Sequence, residues 1–439
     1  MNISDFYKNE YSSYALYDSF RSIACYIDGL KPSARKVIHT LKKKPNSSTK
    51  VSILAGTVAA EQQYIHGQQS LEGVIVGLAQ DFCGSNNMNL LVPEGSFGNR
   101  NIPEAAASRY IFVSKSPILE TLLKKDDEPL LSEQEFEGTI IEPKFFVPTL
   151  PLILINGSEG IGSGFAQKIL PRNPTNIIKA IKQYFSKSKM DSSLFDVWYK
   201  DYDGEIKNVE AGKWEIRGKI DRLNSSMFNI TEIPVGISLQ QYIKVLDKLE
   251  SDKVIKSYVD RSEDNRFLFE IRCEREFLKQ DDETILETLK LIKRVTENYT
   301  CISENNSVRE FKSVEELFVA YCDIRYEFYS KRRIYLLEKY KSELQIAENK
   351  FHFVMDVMNK KVTIFQKTKD EIYQQLERKF VKKDDSYEYL LSMRVDTFTT
   401  EKLESLQKDI DKIKQLLDDV INTGCKEMWL AELKTIKER

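Results

Sequence analysis

Gly95-Ser96-Phe97-Gly98-Asn99-Arg100, followed after a short link by Ala105-Ala106-Ala107-Ser108-Arg109-Tyr110, sets the organisation of this chain. A run of small side chains lets a backbone come close to a phosphodiester, and a guanidinium draws the phosphate in. Tyr110 is therefore the candidate nucleophile, with Arg109 beside it to neutralise the charge that develops on phosphorus. The sequence holds 21 tyrosines, most of which must serve packing. An isolated Arg-Tyr pair would carry little weight, and its neighbours along the chain decide the matter.

Four further pieces stand in order around it. Arg21-Ser22-Ile23 leads to Asp28-Gly29-Leu30-Lys31-Pro32-Ser33-Ala34-Arg35-Lys36-Val37; then come Tyr64-Ile65-His66-Gly67-Gln68-Gln69-Ser70-Leu71 and Gly84-Ser85-Asn86-Asn87, running into Phe97-Gly98-Asn99-Arg100. Beyond Tyr110 lies Asn156-Gly157-Ser158-Glu159-Gly160-Ile161-Gly162-Ser163-Gly164. Over Arg21 to Phe165 this collinear set resembles the breakage-reunion region of type IIA DNA topoisomerases, the family of gyrase A subunits and eukaryotic topoisomerase II. A weaker match continues to the C-terminus. For so short a chain the layout is most similar to the separate medium subunit of T-even-type phage topoisomerases, although several motifs stand closer to the eukaryotic enzyme.

Composition bounds the reading. With 439 residues, 41% hydrophobic and 30% charged, the chain can bury substantial cores and should divide into two to four domains. No apolar run approaches the ~20 residues a bilayer needs, and Met1 to Glu10 lacks the form of a signal peptide; no membrane association and an intracellular site of action are expected. Six cysteines without CxxC pairs suggest buried free thiols rather than zinc or disulfides. The net charge of −2 is unevenly spread: residues 1–60 hold nine Lys/Arg against four acids, and a nucleic acid meets the local face, not the total.

Periodicity predicts an α+β multidomain fold. Apolar positions between Ser12 and Lys44 read as helix, turn, helix, with Pro32 in a first turn and Arg35 and Lys36 near free amides that favour phosphate. Val51 to Glu61 and Gln68 to Phe82 are further helices, the latter a recognition-helix candidate. With Leu90-Leu91-Val92 and the turns at Gly95 and Gly98 they suit a winged helix-turn-helix. Phe145 to Ile155 reads as a buried strand. Gly160 to Gly164 matches neither GxxxxGK[ST] nor GxGxxG and is expected to be a tight loop that exposes Ile161. From Pro171 to about Lys312 helices alternate with strands, including one strand over Trp214–Ile220, and Asp201-Tyr202-Asp203 reads as a surface turn. From Val314 heptads at Leu337, Leu344, Phe351 and Met358, with Tyr340, Ala347 and Val354 beside them, face a second helix carrying Leu403, Leu406, Ile410, Ile413, Leu417 and Val420. Together they predict a long antiparallel coiled coil. If 313–367 is all helix, it reaches about 80 Å.

The resemblance implies more. It implies a winged-helix DNA-gate domain over 1–165, an α/β tower domain over 166–312, and a coiled coil over 313–439 with a small helical dimerisation (C-gate) domain at about 363–400. Arg21, Lys31, Arg35 and His66 match positions that contact DNA or line the cleavage site, and Ile161 matches a side chain that wedges between base pairs. Only about one tyrosine in a thousand is ionised at neutral pH, so the site must activate Tyr110. The implied reaction is reversible attack on DNA to give a 5′-phosphotyrosyl link, through which a second duplex passes.

The sequence contains neither a metal-binding Toprim signature nor nucleotide-binding motifs, so no metal ligand is expected in this chain. Mg²⁺ and ATP are expected on a partner large subunit, with double-stranded DNA and a second copy of this chain as the other partners. Host cytoplasm is expected if the source is a phage, and relaxation or decatenation rather than supercoiling, because no wrapping domain follows. Two departures stand out: Ile65 occupies the place of a histidine in eukaryotic enzymes, and the link between Arg100 and Tyr110 is shorter. The competing reading is a non-catalytic winged-helix and coiled-coil protein that shapes DNA without cutting it.

Overall fold

The structure is a computed structural model that describes residues 2–186, 190–364 and 366–436. The chain forms two compact units, Met1–Arg325 with Glu432–Arg439, and Tyr326–Ala431. The fold is α+β, as the periodicity predicts.

In the first unit α1 (Ile3–Phe6) runs through a π-turn into α2 (Ser12–Ser22). Pro32 opens α3 (Pro32–Lys43), where its missing N–H costs nothing. The turn between α2 and α3 is built on Asp28, whose buried carboxylate accepts from Arg35 Nε (2.7 Å) and from the amides of Leu30 and Phe146 (3.0 Å each). Helices α4 (Val51–Glu61) and α5 (Gln68–Ala79) pack on α3 and on each other. They bury Val51, Leu54, Ala55, Val58, Leu71, Ile75 and Ala79, the face that the i, i+3, i+4 spacing marks. Strands β1 (Thr49–Lys50), β2 (Leu91–Glu94) and β3 (Phe112–Lys115) form an antiparallel sheet in the order β1-β3-β2. Helix α5 carries no lysine or arginine, so cations for a phosphate lie on other elements.

After α6 (Pro117–Leu122) and a small hairpin of β4 (Glu135–Phe136) and β5 (Thr139–Ile140), two expectations are corrected. The run 145–155 is buried but is not a strand. Pro148 and Pro151 cannot donate to a ladder, and the segment passes without regular structure into the one-turn helix α7 (Leu152–Ile155). The glycine-rich stretch is not a loop. It is strand β6 (Ser158–Gly162), paired antiparallel with β7 (Phe165–Ile169) so that Ile161 faces Ala166.

Beyond α8 (Pro174–Ser186) lie two sheets. The first joins β8 (Glu205–Glu210), β9 (Lys213–Arg217) and β14 (Ile292–Thr296); the second, in the order β10-β11-β13-β12, joins β10 (Lys219–Asn224), β11 (Met227–Glu232), β12 (Ser257–Asp260) and β13 (Phe269–Arg272). The single strand expected over Trp214–Ile220 is thus divided at Gly218 between two sheets. The second sheet packs Phe228, Ile230, Phe269 and Ile271 against Tyr242 and Leu246 of α9 (Leu239–Ser251) and Ile285 of α10 (Asp282–Thr288). A buried Arg172–Glu297 pair (2.7 Å) anchors the first sheet, its carboxylate also accepting from Trp214 Nε1 and Tyr299 Oη. Strands β15 (Thr300–Ile302) and β16 (Val308–Glu310) close the region, with Tyr26 N donating to Ile302 O.

Helix α11 (Val314–Met358) is 45 residues long. It stops short of the expected Lys367 because the chain turns at Lys360, whose φ is +56°. In the second unit α11 runs antiparallel to α14 (Thr400–Asn422): Arg333 Nε donates to Val420 O and Thr423 O, while Glu348 pairs with Lys414. Leu406, Ile410 and Val420 are buried on one side, Ala347 and Val354 on the other. Leu337, Leu344 and Phe351 flank the contact half-buried, and Met358 is exposed. The seam with the small Ala347 therefore lies deeper than the one with the large side chains. Between the arms α12 (Lys369–Glu377) and α13 (Glu388–Leu391) share a core of Phe353, Val362, Leu376, Phe380, Tyr387 and Leu390. Helix α15 (Cys425–Thr435) stacks Trp429 on Tyr329. Five of the six free cysteines are buried, and no helix of the described residues is long and apolar enough to cross a membrane.

His39, on α3 beside the Phe146 ring, has its pKa pushed from 6.5 down to about 4, by burial first and then by Lys43 and Lys42. The unfolded chain takes up this proton at a higher pH than the folded one, so the stability present above about pH 6.5 is lost as pH falls toward about 4. The urea midpoint should drop between about pH 7 and about pH 5, and it should drop less in His39→Asn. Equal drops in parent and variant would remove His39 as a cause.

Candidate nucleic-acid interface

Four of the residues singled out in the sequence meet at one place. Arg21, Lys31, His66 and Ile161 line a cleft of about 440 Å³ between α2, the start of α3, the α4–α5 connection and the tip of the β6–β7 hairpin. The β4–β5 hairpin closes one side with Phe136. Lys31 precedes the first residue of α3 and donates from Nζ to Glu159 O (2.9 Å). Burial holds its pKa below the ordinary lysine value, and Glu159 offsets part of that. An ammonium so placed gains from any anion that enters.

Two tyrosines not singled out as site residues orient His66. Tyr17 Oη lies 3.1 Å from His66 Nε2, the Tyr64 ring meets the imidazole edge-on at 5.4 Å, and the Arg21 guanidinium stands 5.7 Å from the Tyr17 ring centre. Burial, then Arg21, lowers the His66 pKa; this favours the neutral ring, which can accept from the Tyr17 hydroxyl. A signal for Tyr17 was present in the sequence: it stands four residues before Arg21 on one helix face.

Ile161 owes its position to its neighbours. Side chains alternate along a strand, so Gly160 and Gly162 face α2 while Ile161 faces away from it, 80% exposed. A Cβ on Gly160 would lie 2.0 Å from Ser22 O, and one on Gly162 would lie 2.9 Å from the Ser19 Cα. Only bare backbone fits there.

Arg109 and Tyr110 do not line this cleft. They sit at the end of the long connection from β2 to β3, in a tight turn where Tyr110 N donates to Ala107 O (2.9 Å). The Arg109 guanidinium lies 4.9 Å from the centre of the Tyr110 ring, and Tyr110 is 67% exposed. The turn is fastened to the start of α4: Val51 N donates to Ile111 O (3.1 Å) and Ser52 N to Ser108 O (3.3 Å), satisfying amides that a helix start leaves free. A phenol that is exposed, cation-flanked and held on fixed backbone is equipped for nucleophilic attack on a bound phosphodiester.

Arg35 is corrected. It is 2% exposed and lies in the core, paired with Asp28 and donating to Leu30 O (3.1 Å). It shapes the turn before α3 and has no surface to offer a phosphate. Among the described residues no group of three or more His, Cys, Asp and Glu could hold a metal ion.

Gly160→Ala should push the hairpin off α2. The expected result is a loss of roughly 1–3 kcal/mol, the usual cost of overpacking, together with weaker duplex binding in a fluorescence-anisotropy titration. Parental stability and affinity in that variant would show that the close approach is dispensable.

Comparison with known proteins gives the family. A family model for the A subunit of DNA gyrase/topoisomerase IV matches residues 21–434. DNA topoisomerase 2 of Invertebrate iridescent virus 6 is 33% identical over 446 residues, covering 99% of this chain and 38% of that protein. The mitochondrial DNA topoisomerase 2 of Dictyostelium discoideum is 32% identical over 449 residues, covering 99% and 35%. The crystal structure of the Plasmodium falciparum topoisomerase II DNA-binding, cleavage and re-ligation domain superposes with a TM-score of 0.90 at 31% identity, over 98% of this chain and 63% of that one. The chain thus spans well under half the length of these two curated relatives. It belongs to the family of DNA gyrase and topoisomerase IV A subunits.

Proposed function

We propose that this chain is the breakage-reunion part of an ATP-dependent type IIA DNA topoisomerase. Tyr110 Oη attacks a backbone phosphorus, the P–O3′ bond breaks, and the 5′ phosphate becomes esterified to the tyrosine. The phenol gives up its proton as the departing 3′ oxygen gains one. The 3′ hydroxyl then attacks the phosphotyrosyl ester and restores the backbone, so no external donor is needed. The exposed phenol under the Arg109 guanidinium carries this reading, because that cation can neutralise charge growing on the phosphoryl oxygens.

The cleft with Arg21, Lys31 and His66 grips the duplex backbone, and Ile161 enters between base pairs to bend it. Unstacking a step costs on the order of a few kcal/mol, offset by contacts to the bent DNA. Helices α3–α5 with sheet β1-β3-β2 serve as the winged helix of a DNA-gate domain over 1–165. Residues 166–312 serve as the tower, and 313–439 as a coiled coil whose tip at about 363–400 pairs with a second copy. Mg²⁺ would supply Lewis-acid chemistry at the scissile phosphate, and ATP would drive strand passage. Both are assigned to a partner large subunit with Toprim and ATPase domains. The activity is intracellular, in host cytoplasm if the chain is phage-encoded like the T-even-type subunits it resembles.

The deciding experiment mixes the chain with that large subunit, duplex DNA and Mg²⁺, stops the reaction with detergent, and maps any covalently attached DNA. The attachment should be at Tyr110 and vanish in Tyr110→Phe while duplex affinity is kept. A non-catalytic DNA-shaping protein would yield no covalent product. Ile161→Ala should fold as the parent does and lower the bend angle measured by fluorescence energy transfer across a labelled duplex, and an unchanged angle would remove the wedge.

A further inference from the structure

The connection that carries Tyr110 is fastened to two bodies. Its far end rests on α4, as described. Its near end is fastened through Arg100, a side chain in a quoted motif to which the reaction above gives no role. Arg100 is 5% exposed. Its Nη2 donates to Glu232 Oε1 (2.9 Å) and Ile233 O (2.8 Å) at the end of β11, and its guanidinium carbon lies 5.2 Å from the Phe267 ring centre. Its amide donates to Asn265 Oδ1 (2.8 Å).

Rigid contacts continue from Arg100 toward the tyrosine. Asn99 Oδ1 accepts from the amides of Asn101 (3.0 Å) and Ile102 (2.8 Å), Gln80 Nε2 donates to Pro103 O (3.0 Å), and Ala106 N donates to Ser96 O (2.9 Å). Gly98, at φ +84°, lets the loop fold on itself, since a Cβ there would lie 2.5 Å from Pro103 O. Slack is therefore small between Arg100 and the turn at Tyr110.

We propose that Arg100 is a positioning residue that registers the Tyr110 loop on the sheet β10-β11-β13-β12, so that the phenol is delivered at a fixed distance from this body. The inference rests on the reading of Tyr110 as nucleophile. Misplacement by about 1 Å is enough to cost about a hundredfold in rate, so the anchor matters through geometry rather than through contact with DNA.

Arg100→Lys tests it, because lysine keeps a charge opposite Glu232 but loses the planar guanidinium whose Nη2 bonds Glu232 and Ile233 while the group lies over the Phe267 ring. Duplex affinity and its salt dependence should match the parent, whereas covalent complex formed with Mg²⁺ and the large subunit should fall about tenfold or more, with kcat reduced and KM unchanged. Amide hydrogen exchange of the chain alone should quicken over 105–111 and stay unchanged over 227–232. Asn265→Ala, on an exposed residue, should give a smaller change in the same direction and covers the case of a poorly folding lysine variant. Parental cleavage with parental exchange overturns the proposal. So does a loss of affinity in step with cleavage, which would make Arg100 a phosphate contact. If Tyr110→Phe still forms covalent complex, the underlying reading fails, and the exchange result alone decides whether Arg100 holds the loop.

Discussion

The Asp28 carboxylate fixes the part of the molecule on which the interface depends. Completely buried, it takes hydrogen bonds from Arg35, Leu30 and Phe146, so the turn from α2 to α3 has one geometry. Arg21 lies in the last turn of α2 and Lys31 immediately precedes α3; setting the turn therefore sets the separation of two cleft cations. Breaking such a buried pair from one side leaves an uncompensated charge at a cost of about 3–5 kcal/mol. The same ion pair could be a poor source of net stability and still be indispensable for shape. Its partner Arg35 serves that turn from within the core.

Most of the first unit was legible in the sequence. Val51–Glu61 and the start at Gln68 follow from apolar periodicity, and Pro32 marks the first turn of α3 without ambiguity. The misreadings have physical causes. In 145–155 hydrophobicity signalled burial correctly, but burial does not specify a ladder, and two prolines forbid one. In 160–164 glycines normally mark loops, whereas here they mark close contact with another backbone, a fact held in the tertiary structure alone. Strand β8 carries no sequence signal because five of its six residues are exposed, leaving no alternation. The role of Arg35 could not be separated from that of Lys31, since a motif shows which residues travel together but not which face inward.

The candidate site is divided. Arg21, Lys31, His66 and Ile161 share a cleft built from helices and a hairpin, while the phenol stands on a separate connection anchored by α4 at one end and Arg100 at the other. Each part is rigid for a different reason: the cleft through a buried carboxylate and glycine contacts, the connection through side-chain amides and helix-start N–H groups. Under the proposed reaction, such a division would let duplex binding and bond cleavage be altered independently by mutation.

The hairpin tip has one more property. How far Ile161 stands proud of the surface is governed by the thickness of α2 beneath it, since Gly160 and Gly162 rest directly on Ser22 and Ser19. A bulkier residue at Ser19 would act as a shim, raising the tip without altering a single atom of the isoleucine. The reach of this side chain is thereby adjustable from the underside, at positions hidden beneath the hairpin.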